Sequence, residues 1–135
     1  MLREAGEPGV SFRGFVPDGE LARYYAAADV FAFPTRSDPW GLVLNEALAA
    51  GLPVVVSRAA GAAQDLVDEC GNGHLHDAGH PAGIATAILR ILSDPTAPER
   101  MGRRSREIIE AHSPQRMADG MAEAILLACG RPRAR

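Results

Sequence analysis

The stretch SDPWGLVLNEALAAGLPVVVS, Ser37 to Ser57, decides how the rest of the chain is read. Its apolar residues Val43, Leu44, Ala47, Leu48 and Ala50 recur at helical spacing, with Asp38 and Pro39 just ahead of them. Gly51 falls where a left-handed residue closes a helix, and Pro53 forbids its continuation. Val54-Val55-Val56 follows, β-branched and apolar throughout, the composition of a parallel strand covered on both faces. The stretch therefore predicts a loop, a helix, a tight turn and a buried strand. A helix N-terminus has N–H groups without intrahelical acceptors, and it suits an anion. Two carboxylates frame this one: Asp38 before the helix and Glu46 within it, with seven residues between them.

Outward from this stretch, strands and helices alternate. Val10-Ser11-Phe12-Arg13-Gly14 alternates apolar and polar residues and reads as a strand. Pro17 to Glu20 is a turn, with Asp18 as N-cap of a helix carrying Leu21, Tyr24, Tyr25 and Ala28. Val30 to Phe33 is a second strand, halted by Pro34. Gln64 to Val67 is a short helix, and Gly73 to His76 a last strand. From Pro81 onward the chain is helical, in three pieces marked by Ile84/Ile88/Leu92, Met101/Ile108/Ile109 and Met117/Met121/Ile125/Leu126. Residues 1–9 read as a helix end and a polar turn. One domain spans 1–135, an α/β core at about 10–92 followed by helices at about 97–128. This alternation predicts a parallel, doubly wound sheet with ligands at the carboxyl ends of its strands.

Composition narrows the class. A chain of 135 residues with 47% hydrophobic and 23% charged residues is globular. A formal charge of −3 argues against nucleic acid as the main partner. The basic runs, Arg100 to Arg106 and Arg131 to Arg135, read as solvated helix faces or chain ends, with anionic lipid as the alternative. No apolar run reaches the ~20 residues of a spanning helix, and the N-terminus lacks a secretory core. Cys70 and Cys129 show no metal or redox spacing, so a cytoplasmic location is expected.

Asp38, Trp40-Gly41-Leu42, Glu46-Ala47 and Gly51-Leu52-Pro53-Val54 together resemble the signature of retaining, nucleotide-sugar-dependent glycosyltransferases of the GT-B architecture, in family 4 (glycosyl transferases group 1). The resemblance runs from about Val10 to Ala128. In that family the first acid is commonly Glu, and here it is Asp, one methylene shorter. The resemblance implies a Rossmann-like parallel sheet with flanking helices, the C-terminal half of a GT-B fold lacking its first two strands. Val10–Gly14 would be the third strand, and the other three would pair as neighbours. The first strands, the groups gripping the diphosphate and an acceptor domain would then lie before Met1. The isolated chain is accordingly expected to transfer no sugar, to bind nucleotide weakly and to self-associate through an open sheet edge.

Taken alone, Glu46 reads as an exposed helical Glu and Asp38 as a loop residue or N-cap. The resemblance implies more. Glu46 would accept hydrogen bonds from the two ribose hydroxyls of the donor, work that suits a charged group with two acceptor oxygens. Asp38 would be catalytic, facing the donor sugar near the anomeric carbon, where positive charge develops. Trp40, Gly41, Leu42 and Val43 would offer backbone N–H groups to diphosphate and sugar, Gly41 lacking a Cβ that would obstruct the approach. Gly14, Phe15 and Val16, after the first strand, would receive the nucleotide base. Arg36 reads as a surface arginine that could also neutralise phosphate charge. His74 and His76 alternate on a strand and point the same way, yet no third ligand accompanies them. No metal and no cofactor beyond the donor substrate is expected, and the partners expected are a nucleotide-sugar and an acceptor domain or partner chain. Peripheral contact at the inner face of a membrane is a further expectation. The alternatives are a non-catalytic nucleotide-sugar-binding subunit or remnant and, more remotely, a sugar-nucleotide epimerase.

Overall fold

The computed structural model of the chain describes residues 9–130. The readings made for residues 1–8 and for the basic tail 131–135 lie outside them. Nine elements follow in order: α1 (Asp18–Ala27), β1 (Phe31–Phe33), α2 (Leu42–Ala50), β2 (Val54–Ser57), α3 (Ala63–Leu66), β3 (Gly73–His76), α4 (Pro81–Leu92), α5 (Ala97–Ala111) and α6 (Pro114–Ala128). The strands form one parallel sheet in the order β1-β2-β3. Phe31 lies beside Val54, and Val55 beside His74. This is the expected α/β architecture, with the three later strands as neighbours.

The run Val54-Val55-Val56 is fully buried, as its composition predicts. Alternation sends Val54 and Val56 into one core with Leu44, Ala47 and Leu48 of α2 and Leu66 of α3. Val55 faces the other core, with Ile91 of α4 and Met101 of α5. Each buried valine is worth about 1.5–3 kcal/mol, so β2 is the axis on which both helical layers hang. Gly51 closes α2 in the left-handed region (φ 80°), its N–H returned to Leu48 O. Helix α5 locks that turn from outside. Ser105 Oγ donates to Leu52 O at 2.6 Å, and Arg106 Nη2 donates to Ala50 O at 2.9 Å.

Two expectations need correction. Val10–Gly14 is not a strand. Its alternation would place Val10 and Phe12 on one face, but they stand 56% and 58% exposed, and no described strand offers them a ladder. Without partner hydrogen bonds the extended pattern has nothing to hold it. Nor is Asp18 an N-cap: α1 begins at Asp18, and Pro17 occupies the cap with extended backbone (φ −61°, ψ 147°). The outer edge of β1 has no partner strand among the described residues. Helix α6 buries none of its residues, leaving Met117, Met121 and Ile125 exposed along one stripe. Among the described residues no helix is long and apolar enough to cross a membrane.

Candidate functional site

The parallel strands direct their carboxyl ends, Phe33 and Ser57, toward the loop 37–41 and the loop 58–62. These loops are sewn together by backbone. Asp38 N–H donates to Ala59 O, Gly61 N–H to Asp38 O, and Ala62 N–H to Trp40 O, at 2.9–3.2 Å. The approach is so close that a Cβ on Gly61 would collide with Pro39 O. A short parallel bridge thus continues the β1–β2 pairing beyond the sheet, between Asp38 and Ala60. It holds the segment carrying Asp38 at a defined place at the sheet's end.

Within that segment the Asp38 side chain turns back on its own loop, Oδ1 accepting from Trp40 N–H at 3.0 Å. The Trp40 indole N–H in turn donates to Asn45 Oδ1 at 3.0 Å, tying the loop to the first turn of α2. Gly41 is buried and left-handed (φ 93°), and a Cβ there would lie 2.9 Å from Phe33 Cε1. Its glycine therefore has a cause within the fold, besides any ligand. The N–H groups of Leu42 and Val43 open α2 and precede its intrahelical ladder. The Trp40 N–H is already satisfied by Asp38, so the backbone donors left to a ligand are those of Gly41, Leu42 and Val43.

Glu46 lies on α2 where that helix faces α1. Its Oε2 accepts the phenolic O–H of Tyr25 at 2.8 Å. Partial burial of the phenol, then the hydrogen bond and negative charge of Glu46, push the Tyr25 pKa up to about 12. Tyr25 therefore remains a donor throughout the physiological range. One lone pair of the carboxylate is used, and the others stay open to further donors. Glu46 lies at the border of two clefts. One, of about 450 Å³, lies between α1 and α2 beside Leu21, Tyr25 and Ala50. The other, of about 870 Å³, runs from Trp40 and Leu42 to Ile109, His112 and Met117 of α5 and α6.

The structure thus brings Asp38, Trp40, Gly41, Leu42, Val43 and Glu46 together around one turn. Gly14, Phe15 and Val16 line neither cleft. Gly14 is left-handed (φ 62°), and Phe15 is 91% exposed. Sequence reasoning missed Tyr25, Asn45 and Gly61. By sequence Tyr25 reads as part of a helix face with Leu21, Tyr24 and Ala28, and only its hydroxyl marks it out. Among the described residues His76 joins no ligand cluster and its buried Nε2 has no partner, while its Nδ1–H donates to Asp77 O at 2.9 Å.

The three-stranded parallel sheet with its flanking helices matches the C-terminal, Rossmann-like half of GT-B glycosyltransferases. The chain belongs to the family of glycosyl transferases group 1, which it matches over residues 3–108. A sulfoquinovosyl transferase of Arabidopsis thaliana is 36% identical over 79% of this chain and 21% of its own length. A D-inositol 3-phosphate glycosyltransferase of Corynebacterium kroppenstedtii is 36% identical over 79% of this chain and 24% of its own length. Among solved structures, sucrose-phosphate synthase from Thermosynechococcus elongatus superposes with a TM-score of 0.75 at 33% identity, covering 88% of this chain and 30% of that one. Anabaena HepE in complex with UDP and glucose superposes with a TM-score of 0.73 at 27% identity, over 87% of this chain and 33% of that one. The chain therefore spans about a fifth to a third of the relatives it matches.

Proposed function

We propose that this chain is the donor half of a retaining family 4 glycosyltransferase and binds a nucleotide-diphosphate sugar at the turn between β1 and α2. The observation that carries the proposal is the placement of Asp38 and Glu46 on either side of the left-handed Gly41, at the carboxyl ends of parallel strands. Helix α2 directs the N–H groups of Leu42 and Val43, with that of Gly41, at the diphosphate, where the helix dipole adds to their pull. Glu46, steadied by Tyr25, accepts the ribose hydroxyls. Asp38 faces the donor sugar and stabilises positive charge as the nucleotide leaves. The Asx turn to Trp40 fixes its direction, which suits a side chain one methylene shorter than Glu. Gly14 to Val16 are assigned to the base. The HepE structures containing UDP and UDP-glucose support the donor class.

Transfer itself needs an acceptor site, which this reading places on an acceptor domain or a partner chain. The isolated chain then binds donor without turning it over. A ligand-observed NMR screen of the chain against UDP-, GDP- and ADP-sugars tests the reading. Saturation transfer to one nucleotide class, displaced by the free nucleoside diphosphate, is the expected result. Absence of transfer to all three overturns it.

A further inference from the structure

At the opposite end of the sheet, three side chains of different ligand chemistry converge. The loop after α3 is rigidly wired. Asn72 is fully buried, its Oδ1 accepts from Asp68 N–H at 2.8 Å, and its Nδ2 donates to Leu66 O at 3.0 Å. Gly71 and Asn72 N–H both donate to Asp68 O, and Cys70 N–H donates to Gly73 O. This wiring holds Cys70 in the left-handed region (φ 64°), the one non-glycine residue there among those described. It also sets Glu69 and Cys70 beside His74, the second residue of β3. A carboxylate oxygen of Glu69, Sγ of Cys70 and a ring nitrogen of His74 lie within 4.8 Å of one another.

His74 is the anchor, with only 8% of its side chain exposed. Its Nδ1–H donates to Glu69 Oε1 at 2.8 Å, and Glu69 Oε2 accepts from Leu75 N–H at 3.0 Å, so ring and carboxylate are both oriented. The other ring nitrogen has no partner among the described residues. His74 and Cys70 line a crevice of about 220 Å³ with Arg90, Ile91, Asp94, Arg100 and Met101 of the α4–α5 corner, and Glu69 borders the adjoining crevice. Cys70 and the Glu69 carboxylate are accessible, so an ion can reach them.

We infer that Glu69, Cys70 and His74 bind a borderline-soft divalent transition-metal ion, Zn²⁺ by ligand chemistry, with water completing the coordination. One thiolate, one imidazole and one carboxylate suit Zn²⁺, and the sulfur disfavours Mg²⁺ and Ca²⁺. Tetrahedral bonds of ~2.0 Å to nitrogen and oxygen and ~2.3 Å to sulfur separate ligand atoms by roughly 3.3–3.5 Å. The present cluster needs to contract by about an ångström from its 4.8 Å limit, within reach of the exposed Glu69 and Cys70 side chains. On binding, the Cys70 thiol releases its proton to solvent, while Nδ1 of His74, beside Glu69 Oε1, takes the ion and the ring proton passes to Nε2. Thiolate and carboxylate together neutralise the dication, and Arg100 of the crevice is paired with Asp94 at 3.7 Å. The site lies at the amino end of β3, away from the donor turn, so the ion acts as a staple between the α3–β3 loop and the sheet and takes no part in transfer.

The test is Zn²⁺ binding to the full chain, measured by competition with a chromophoric chelator, together with the Co²⁺ spectrum. Expected are one Zn²⁺ per chain, a raised melting temperature and a thiolate-to-Co²⁺ charge-transfer band in the near ultraviolet. Cys70→Ser changes an exposed side chain. It should remove the band and weaken Zn²⁺ binding at least ~100-fold, and Glu69→Gln should weaken it at least ~10-fold. Cys129→Ser should change neither. Unchanged Zn²⁺ affinity in Cys70→Ser, or a Co²⁺ complex without the thiolate band, overturns the proposal.

Discussion

The phenolic O–H of Tyr25 on α1 donates to Glu46 Oε2 on α2 at 2.8 Å, joining two helices across 21 residues of sequence at the edge of the donor turn. The bond gives Glu46 a preferred direction that an exposed helical carboxylate otherwise lacks. Under the donor reading proposed above, orientation matters because a carboxylate meeting two vicinal hydroxyls loses affinity when it rotates freely.

Tyr25→Phe keeps the ring and its tilted contact with Phe31 (centroids 5.9 Å apart) while deleting the hydroxyl. A hydrogen bond to a charged group is worth about 1.5–3 kcal/mol, so its loss predicts a lowered melting temperature near neutral pH together with weaker nucleotide affinity. Calorimetric titration of both proteins checks it, and equal affinities would show that Tyr25 does not position Glu46.

The same pair sets a high-pH signature. The unfolded phenol titrates near 10 and the folded one near 12, so folding favours the neutral form. Tyr25 therefore contributes stability that is whole below pH 10 and fades as pH rises through 12. Phenolate absorbance should show a phase close to pH 12 that disappears in Tyr25→Phe and moves down in Glu46→Gln. A phase insensitive to Glu46 would place its cause elsewhere.

Gly41→Ala combines a left-handed backbone with a Cβ 2.9 Å from the Phe33 ring. The strain predicts a loss of roughly 1–3 kcal/mol, or roughly 4 °C of melting temperature per kcal/mol. Thermal unfolding followed by circular dichroism measures it. An unchanged midpoint would mean that the glycine serves the ligand alone.

Asn72→Ala leaves Leu66 O and Asp68 N–H without their side-chain partner. With each stranded group costing about 1–3 kcal/mol, destabilisation of at least ~2 kcal/mol is expected in urea. Asn72→Asp keeps the acceptor but buries a carboxylate oxygen against Leu66 O and should lose at least as much as Ala, and an Asp variant as stable as the unaltered chain would contradict the bond assignment.

What the sequence made legible was local. Helix α2, its Gly51 terminus and the buried β2 follow from spacing, a left-handed glycine and a valine run, each readable within a few residues. Val10–Gly14 misled because a strand is a property of a pair: the alternation was present and the ladder was not. Tyr25 escaped notice because its partner lies 21 residues away, and a tyrosine on an apolar stripe looks like packing until its hydroxyl is placed. Glu69 and Cys70 escaped for a similar reason. The turn at Gly71–Asn72 folds them back on His74, and nothing in their spacing alone announces that turn. Gly41 reads from the sequence as a glycine kept open for a ligand, but a neighbour that also demands it, Phe33, belongs to the preceding strand.

The most direct test of the account is nucleotide affinity in Glu46→Gln against the unaltered chain, measured with the nucleotide-sugar that the NMR screen identifies. Loss of a charge-assisted acceptor predicts a penalty of about 1.5–3 kcal/mol, roughly 10- to 150-fold in Kd, with the fold intact by circular dichroism. Equal affinity in the two proteins would contradict a donor site at Glu46.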